Sequence, residues 1–162
     1  VFRQGVDEIV DQLRERIGEA AAAGIAPSRL IVDPGIGFAK AGAQNWDVLR
    51  GLDEIVGLGF RVLVGTSRKR FLAAIREDRG VESSPLLADP ATAAVTAISA
   101  QMGAWGVRVH EVAVSRDAVD VAAAWNAGDG YKGGANASGS YSNGADGNGT
   151  MKSTALPRNP EE

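Results

Sequence analysis

Val62-Leu-Val-Gly-Thr-Ser-Arg-Lys-Arg-Phe71 is the stretch whose reading decides the fold. Val62-Leu63-Val64 is an unbroken apolar run, the pattern of a strand covered on both faces, and it breaks at Gly65 into a hydroxyl and two cations. Polar groups at the carboxyl end of such a strand are where α/β proteins place their chemistry. Two more apolar runs end in the same manner, Leu30-Ile-Val-Asp33-Pro-Gly-Ile-Gly-Phe38 and Val107-Arg108-Val109-His110. Three strand ends therefore offer a carboxylate, a Ser-Arg-Lys cluster and an Arg/His pair. That set suits an anionic ligand that also forms hydrogen bonds.

Helical patterns separate these strands. Val6, Ile9, Val10, Leu13 and Ile17 share one face, and Gly24 then Pro27 end the first helix. The spacing predicts a strand over residues 29–33, an amphipathic helix carrying Leu49, Leu52, Ile55 and Val56, and a strand over residues 61–66. Phe71, Leu72 and Ile75 mark a short helix opening just past Ser67, and the charged, Ser-rich residues 76–87 read as a loop. Asp89 and Pro90 read as N-cap and first turn of an Ala-rich helix ending near Gly103. A last strand over residues 106–110 leads through Ser115, as cap, into a helix ending near Trp125. Strands alternating with helices imply parallel pairing with right-handed crossovers. Residues 33–38 have the wrong glycine spacing for a dinucleotide loop, and residues 65–69 lack the P-loop pattern. Part of an eight-stranded (β/α)8 barrel is thus a better reading than part of a doubly wound sheet.

The 162 residues suffice for one domain, and a hydrophobic content of 44% suits a globular core. A net charge of -3 speaks against wholesale nucleic-acid binding, which wants a basic face. Without cysteine there is neither a disulfide framework nor a thiolate metal site. Nothing resembles a signal peptide and no apolar run is long enough to span a bilayer, so no membrane partner and a cytoplasmic address are expected. Composition shifts near Ala127: from there on a single Leu, no Ile, Val, Phe or Trp, and abundant Gly, Asn and Ser. Such a segment buries too little apolar surface to offset its ordering entropy. Residues 1–126 are expected to fold and residues 127–162 to form a disordered tail. The chain opens on Val1 already inside a helical pattern, which reads as a fragment or processed piece.

Each candidate residue has two readings. Asp33 either accepts from paired N–H donors of a flat ligand or orders the glycine turn after it. Gly35 and Gly37 either let backbone approach a ligand or supply positive φ. Phe38 is an aromatic wall or a core plug. Ser67, Arg68 and Lys69 start a helix whose free N–H groups attract anions, or form a solvated basic turn; directly after a buried strand, the first reading is preferred. Arg108 and His110 alternate with valines and so share a face, where an inward cation is expensive unless it meets an anion. There is no second His and no carboxylate cluster, so no metal site is expected in this chain. Ser67 and His110 hint at a hydrolase pair, but no nucleophile elbow surrounds Ser67.

Asp33-Pro-Gly-Ile-Gly-Phe-Ala-Lys40 with Asn45, Gly65-Thr-Ser-Arg-Lys-Arg-Phe71, Asp89-Pro-Ala-Thr-Ala93 and Arg108-Val-His110-Glu111 closely resemble the C-terminal half of dihydropteroate synthase in order and spacing. Gly103-Ala-Trp-Gly-Val-Arg-Val-His110 looks most like the actinobacterial branch. The resemblance runs from about Val1 to Trp125. It implies strands six to eight of a (β/α)8 barrel that condenses 6-hydroxymethyl-7,8-dihydropterin pyrophosphate with para-aminobenzoate, giving 7,8-dihydropteroate and diphosphate in folate biosynthesis. By resemblance, Asp33 reads the pterin ring, Lys69 its oxo group, and Phe38, Ser67 and Arg68 border the aminobenzoate pocket, with Gly65 at the same strand end. Arg108 and His110 hold the diphosphate, and Lys69, Arg108 and His110 are the candidate catalytic residues. The resemblance further implies Mg²⁺, held by a residue outside this chain, and a homodimer. The chain by itself is expected to be inactive. Competing readings are a non-catalytic paralogue or partner subunit of the same fold, and a pterin-binding methyltransferase domain; intact Asp33, Lys69, Arg108 and His110 favour the synthase.

Overall fold

The computed structural model describes residues 2–38 and 42–127. Helix α1 (Phe2–Ala22) buries Val6, Ile9 and Val10 and stops before Gly24, whose φ of 84° closes the end as a left-handed residue can. Pro27 then starts a 3-10 turn, Pro27–Arg29, because its fixed φ suits a first helical position. Strand β1 is consequently Ile31–Val32, shorter than the five residues expected from the apolar run.

Where one amphipathic helix was expected there are two, α2 (Gly42–Arg50) and α3 (Leu52–Val56). The break falls at Gly51, where α1 packs so close that a Cβ would stand 2.6 Å from Val6 Cγ1. Strand β2 (Arg61–Val64) and helix α4 (Arg70–Asp78) follow, so residues 76–78 of the expected loop are the last turn of a helix. Helix α5 (Asp89–Gln101), strand β3 (Gly106–Val107) and helix α6 (Val112–Ala127) complete the described chain. Ser115 does not cap α6. It is buried inside the helix and donates to the Glu111 carbonyl at 2.7 Å, while the Glu111 carboxylate accepts from the Ala113 N–H.

The three strands pair in parallel in the order β1-β2-β3, with Val32 beside Val62 and Val64 beside Val107. Ladder bonds reach from Trp105 N–H on Val62 O to Arg108 N–H on Val64 O, then stop where β2 breaks at Gly65. Arg108 and His110 therefore lie beyond β3 rather than inside it. Val32, Val62 and Val64 bury against Ile9, Leu52, Ile55, Leu72 and Val95 of the helices. On the other face Ile31 is 44% exposed and Leu63 half-buried, so the described residues cover one face of the sheet and only part of the other. The tail expected over residues 127–162 lies outside the described residues, except that Ala127 ends α6. Among the described residues no helix is long and apolar enough to cross a membrane.

Candidate active site

Parallel pairing puts the carboxyl ends of β1, β2 and β3 on one edge of the sheet. Asp33 follows β1 directly and is exposed; its Oδ1 accepts from the Gly35 N–H at 2.8 Å. One carboxylate oxygen thus orders the turn, and a carboxylate has further lone pairs for a ligand. Gly35 and Gly37 take φ of 67° and 77°, which other residues rarely adopt. Asn45, buried on α2, accepts from the Gly37 N–H at 2.6 Å and so ties this loop to the helix layer. Phe38 is 59% exposed and so does not plug the core. Lys69 Nζ sits 3.5 Å above its ring, a cation on the negative face of an aromatic. A Cβ at Gly37 would stand 2.6 Å from Lys69 Cδ, so the absent side chain is what lets the lysine stem pass.

The residues after β2 do not begin a helix as expected. Helix α4 opens at Arg70 with Lys69 as N-cap, and Ser67 and Arg68 form the turn before it. Arg68 has a φ of 58°, and its guanidinium grips Asp89 through two parallel bonds, Nε to Oδ1 at 3.0 Å and Nη2 to Oδ2 at 2.9 Å. This is the fork geometry that arginine alone offers. Hydrogen bonding from Arg68 holds the Asp89 carboxyl below its ordinary range, against the opposing effect of burial, and the Arg68 guanidinium is raised in turn by its bond to Asp89. Asp89 is accordingly not the N-cap of α5; Ala88 takes that place and Asp89 is the first helical residue. Arg68 is a structural clamp between the second strand end and α5.

Ser67 is buried, and its Oγ lies 2.9 Å from His110 Nδ1 and 3.1 Å from the His110 backbone N–H. The second and third strand ends are joined at that point. Arg108 is exposed, and among the described residues its guanidinium makes no hydrogen bond or ion pair. Gly65 lies beneath it, with a Cβ position 3.8 Å from Arg108 Nε. The structure therefore joins Phe38 to Lys69, Ser67 to His110, and Gly65 to Arg108, and leaves Asp33 on its own turn. A cleft of about 770 Å³ borders Lys69 and Arg68 together with Gly37, Asn45 and Ser84, but not Asp33, Arg108 or His110. The roles of Asn45 and Asp89 as tethers were not legible from type or spacing, since both partners lie across loops. Among the described residues no three His, Asp or Glu side chains gather as a metal site would require. Cations and an imidazole can stabilise developing negative charge, and a neutral imidazole can also accept a proton.

Residues 2–110 match the family described as pterin binding enzyme, and the chain belongs to that family. The chain is 44% identical over 125 residues to the dihydropteroate synthase of Mycobacterium leprae, covering 76% of this chain and 44% of that protein. Dihydropteroate synthase from Xanthomonas albilineans in complex with 7,8-dihydropteroate superposes with a TM-score of 0.69 at 39% identity, over 78% of this chain and 47% of that one. The same enzyme with 4-aminobenzoic acid gives 0.68 at 40%, over 77% and 45%. The chain thus spans less than half the length of these relatives. Its three strands and their helices are the C-terminal part of the (β/α)8 barrel those structures share.

Proposed function

We propose that the chain supplies the C-terminal half of a dihydropteroate synthase, acting in folate biosynthesis on 6-hydroxymethyl-7,8-dihydropterin pyrophosphate and para-aminobenzoate. The observation that carries this reading is Arg108, an exposed cation left without an internal partner among the described residues, beside His110 and at the same sheet edge as Asp33 and Lys69. The reaction forms a bond from the aniline nitrogen to the pterin methylene and breaks the methylene–oxygen bond. The departing diphosphate takes that electron pair, and the nitrogen releases a proton. Arg108 and His110 stabilise the charge gathering on diphosphate. Asp33 accepts from the pterin N–H groups with lone pairs that Gly35 does not use, and Lys69 donates to the ring oxo group. Phe38, Ser67 and the turn held by Arg68 flank the aminobenzoate. The 4-aminobenzoic acid and 7,8-dihydropteroate in the Xanthomonas albilineans structures support this choice of ligands. By this reading Mg²⁺, held by a residue outside this chain, would add charge stabilisation to the departing diphosphate when bound.

The same reading includes a cytoplasmic location and a homodimer. Val114, Val121 and Trp125 make an exposed stripe on α6, with Trp125 77% exposed, and a second copy would cover it. Fusing this chain behind the part of the Mycobacterium leprae enzyme that it does not match tests the function. Diphosphate release that needs both substrates is the expected result. A folded fusion that binds neither the pterin nor para-aminobenzoate would refute the reading.

A further inference from the structure

We propose that Ser67 is a positioning residue for His110, locking the imidazole in the tautomer that carries its proton on Nε2. A hydroxyl has one proton and two lone pairs. The His110 backbone N–H fills one lone pair of Ser67 Oγ at 3.1 Å. Nδ1 stands 2.9 Å from the same oxygen and either donates to it or accepts from it. If Nδ1 donated, both lone pairs would be filled and the Ser67 proton would need another acceptor. Ser67 is 6% exposed, and among the described residues its Oγ makes no other hydrogen bond. A buried hydroxyl proton without an acceptor is costly. The proton therefore points to Nδ1, which accepts it.

This arrangement sets the ring's second nitrogen. With Nδ1 accepting, neutral His110 carries its proton on Nε2, the nitrogen left to solvent on an exposed residue. His110 then meets an anion as a hydrogen-bond donor without first taking up a proton. The serine grips backbone and side chain of one residue, so it fixes ring orientation as well as tautomer. The assignment stands on this geometry alone; only its consequence for diphosphate rests on the synthase reading.

His110 is the only histidine of the chain, which makes the test direct. Two-bond ¹⁵N–¹H correlation on the untagged full chain, at about pH 8 and so above the ordinary imidazole range near 6.5, reads the two ring nitrogens. Nε2 protonated and Nδ1 accepting is the expected pattern. In Ser67→Ala the Nδ1 resonance should move, and exchange of the His110 amide should quicken about three- to tenfold. A protonated Nδ1 in the wild type, or a Ser67→Ala variant with unchanged Nδ1 and amide signals, would overturn the proposal. Inorganic diphosphate, titrated into the fusion with the Mycobacterium leprae part, supplies the second arm. Ser67→Ala should weaken it about three- to tenfold, and should add nothing in a His110→Ala background. Equal losses in both backgrounds would mean that Ser67 does not act through His110. If the nitrogen pattern is as expected but diphosphate does not bind, the synthase reading fails and the Ser67–His110 assignment stands.

Discussion

Arg61 and Arg108 are the same residue type at opposite ends of neighbouring strands, and they meet opposite fates. Arg61 opens β2, donates to the Ser28 carbonyl across 33 residues of sequence, and lies 5.4 Å from the centroid of the Trp105 ring. Arg61 is exposed, yet its guanidinium is held by groups of the fold itself. Arg108 follows β3 at the carboxyl edge, exposed, and among the described residues its guanidinium makes no hydrogen bond or ion pair. In β/α architectures the amino-terminal face of the sheet serves stability and the carboxyl-terminal face serves chemistry. The two arginines differ in the direction that this division predicts.

The division breaks if both arginines answer alike to removal, and the largest effect should come from Arg108. In a protein that binds the pterin ligands, Arg108→Ala should weaken pterin pyrophosphate by about one to two decades and the pterin base far less, because a charged hydrogen bond at a desolvated site is worth roughly 1.5–3 kcal/mol. Asp33→Ala should weaken both ligands. Calorimetry with the two ligands checks this, and equal losses for Arg108→Ala would remove its assignment to diphosphate.

Gly37→Ala probes how the carboxyl edge is built. The new methyl meets the Lys69 stem at 2.6 Å and forces a non-glycine residue to a φ of 77°. A loss of about 1–3 kcal/mol in unfolding free energy is expected, with Lys69 displaced from Phe38. Denaturant titration measures the first and the chemical shifts of the Phe38 ring report the second. Unchanged ring shifts would mean that the loop and the lysine are not coupled.

Arg61→Ala should cost about 1 kcal/mol of stability, from one net hydrogen bond and an exposed cation–π contact, and should leave ligand affinity unchanged. A binding defect in a folded Arg61→Ala protein would contradict the separation of the two ends.

The smallest effect is a pH dependence. Asp89 is held below its ordinary range in the folded protein, so its pairing with Arg68 contributes stability above the usual carboxylate pKa near 3.9. That contribution is lost as pH falls through the lowered folded value. Asp89→Asn should flatten the acid limb of a stability-against-pH curve in that window. An unaltered limb would show that the clamp does not depend on the Asp89 charge.

The helices were legible where burial is periodic, as in Val6, Ile9 and Val10 of α1, since one face of a helix repeats in sequence. Residues 76–78 misread as loop because Arg76, Glu77 and Asp78 are polar, although the helical backbone carries on through them. Asp89 misread as a cap because its position before an Ala-rich helix is the usual place for one. Its backbone is already helical because the 3-10 turn Leu86–Ala88 runs straight into α5, and its carboxylate is taken by Arg68, 21 residues away, which leaves no local trace.

By itself the sequence determined that strands alternate with helices, that three strands end in polar groups, and that those groups suit an anion, because hydrophobic period and residue chemistry are local properties. It also carried the family motifs. Only the tertiary structure decided which of those polar groups spend their charge on each other. Arg68 and Lys69 are adjacent in the chain, yet one is held by Asp89 and the other lies over Phe38. Ser67 and His110 are 43 residues apart and share two close contacts. Such pairings depend on where parallel strands bring their ends together, and no spacing along one strand encodes the position of its neighbour.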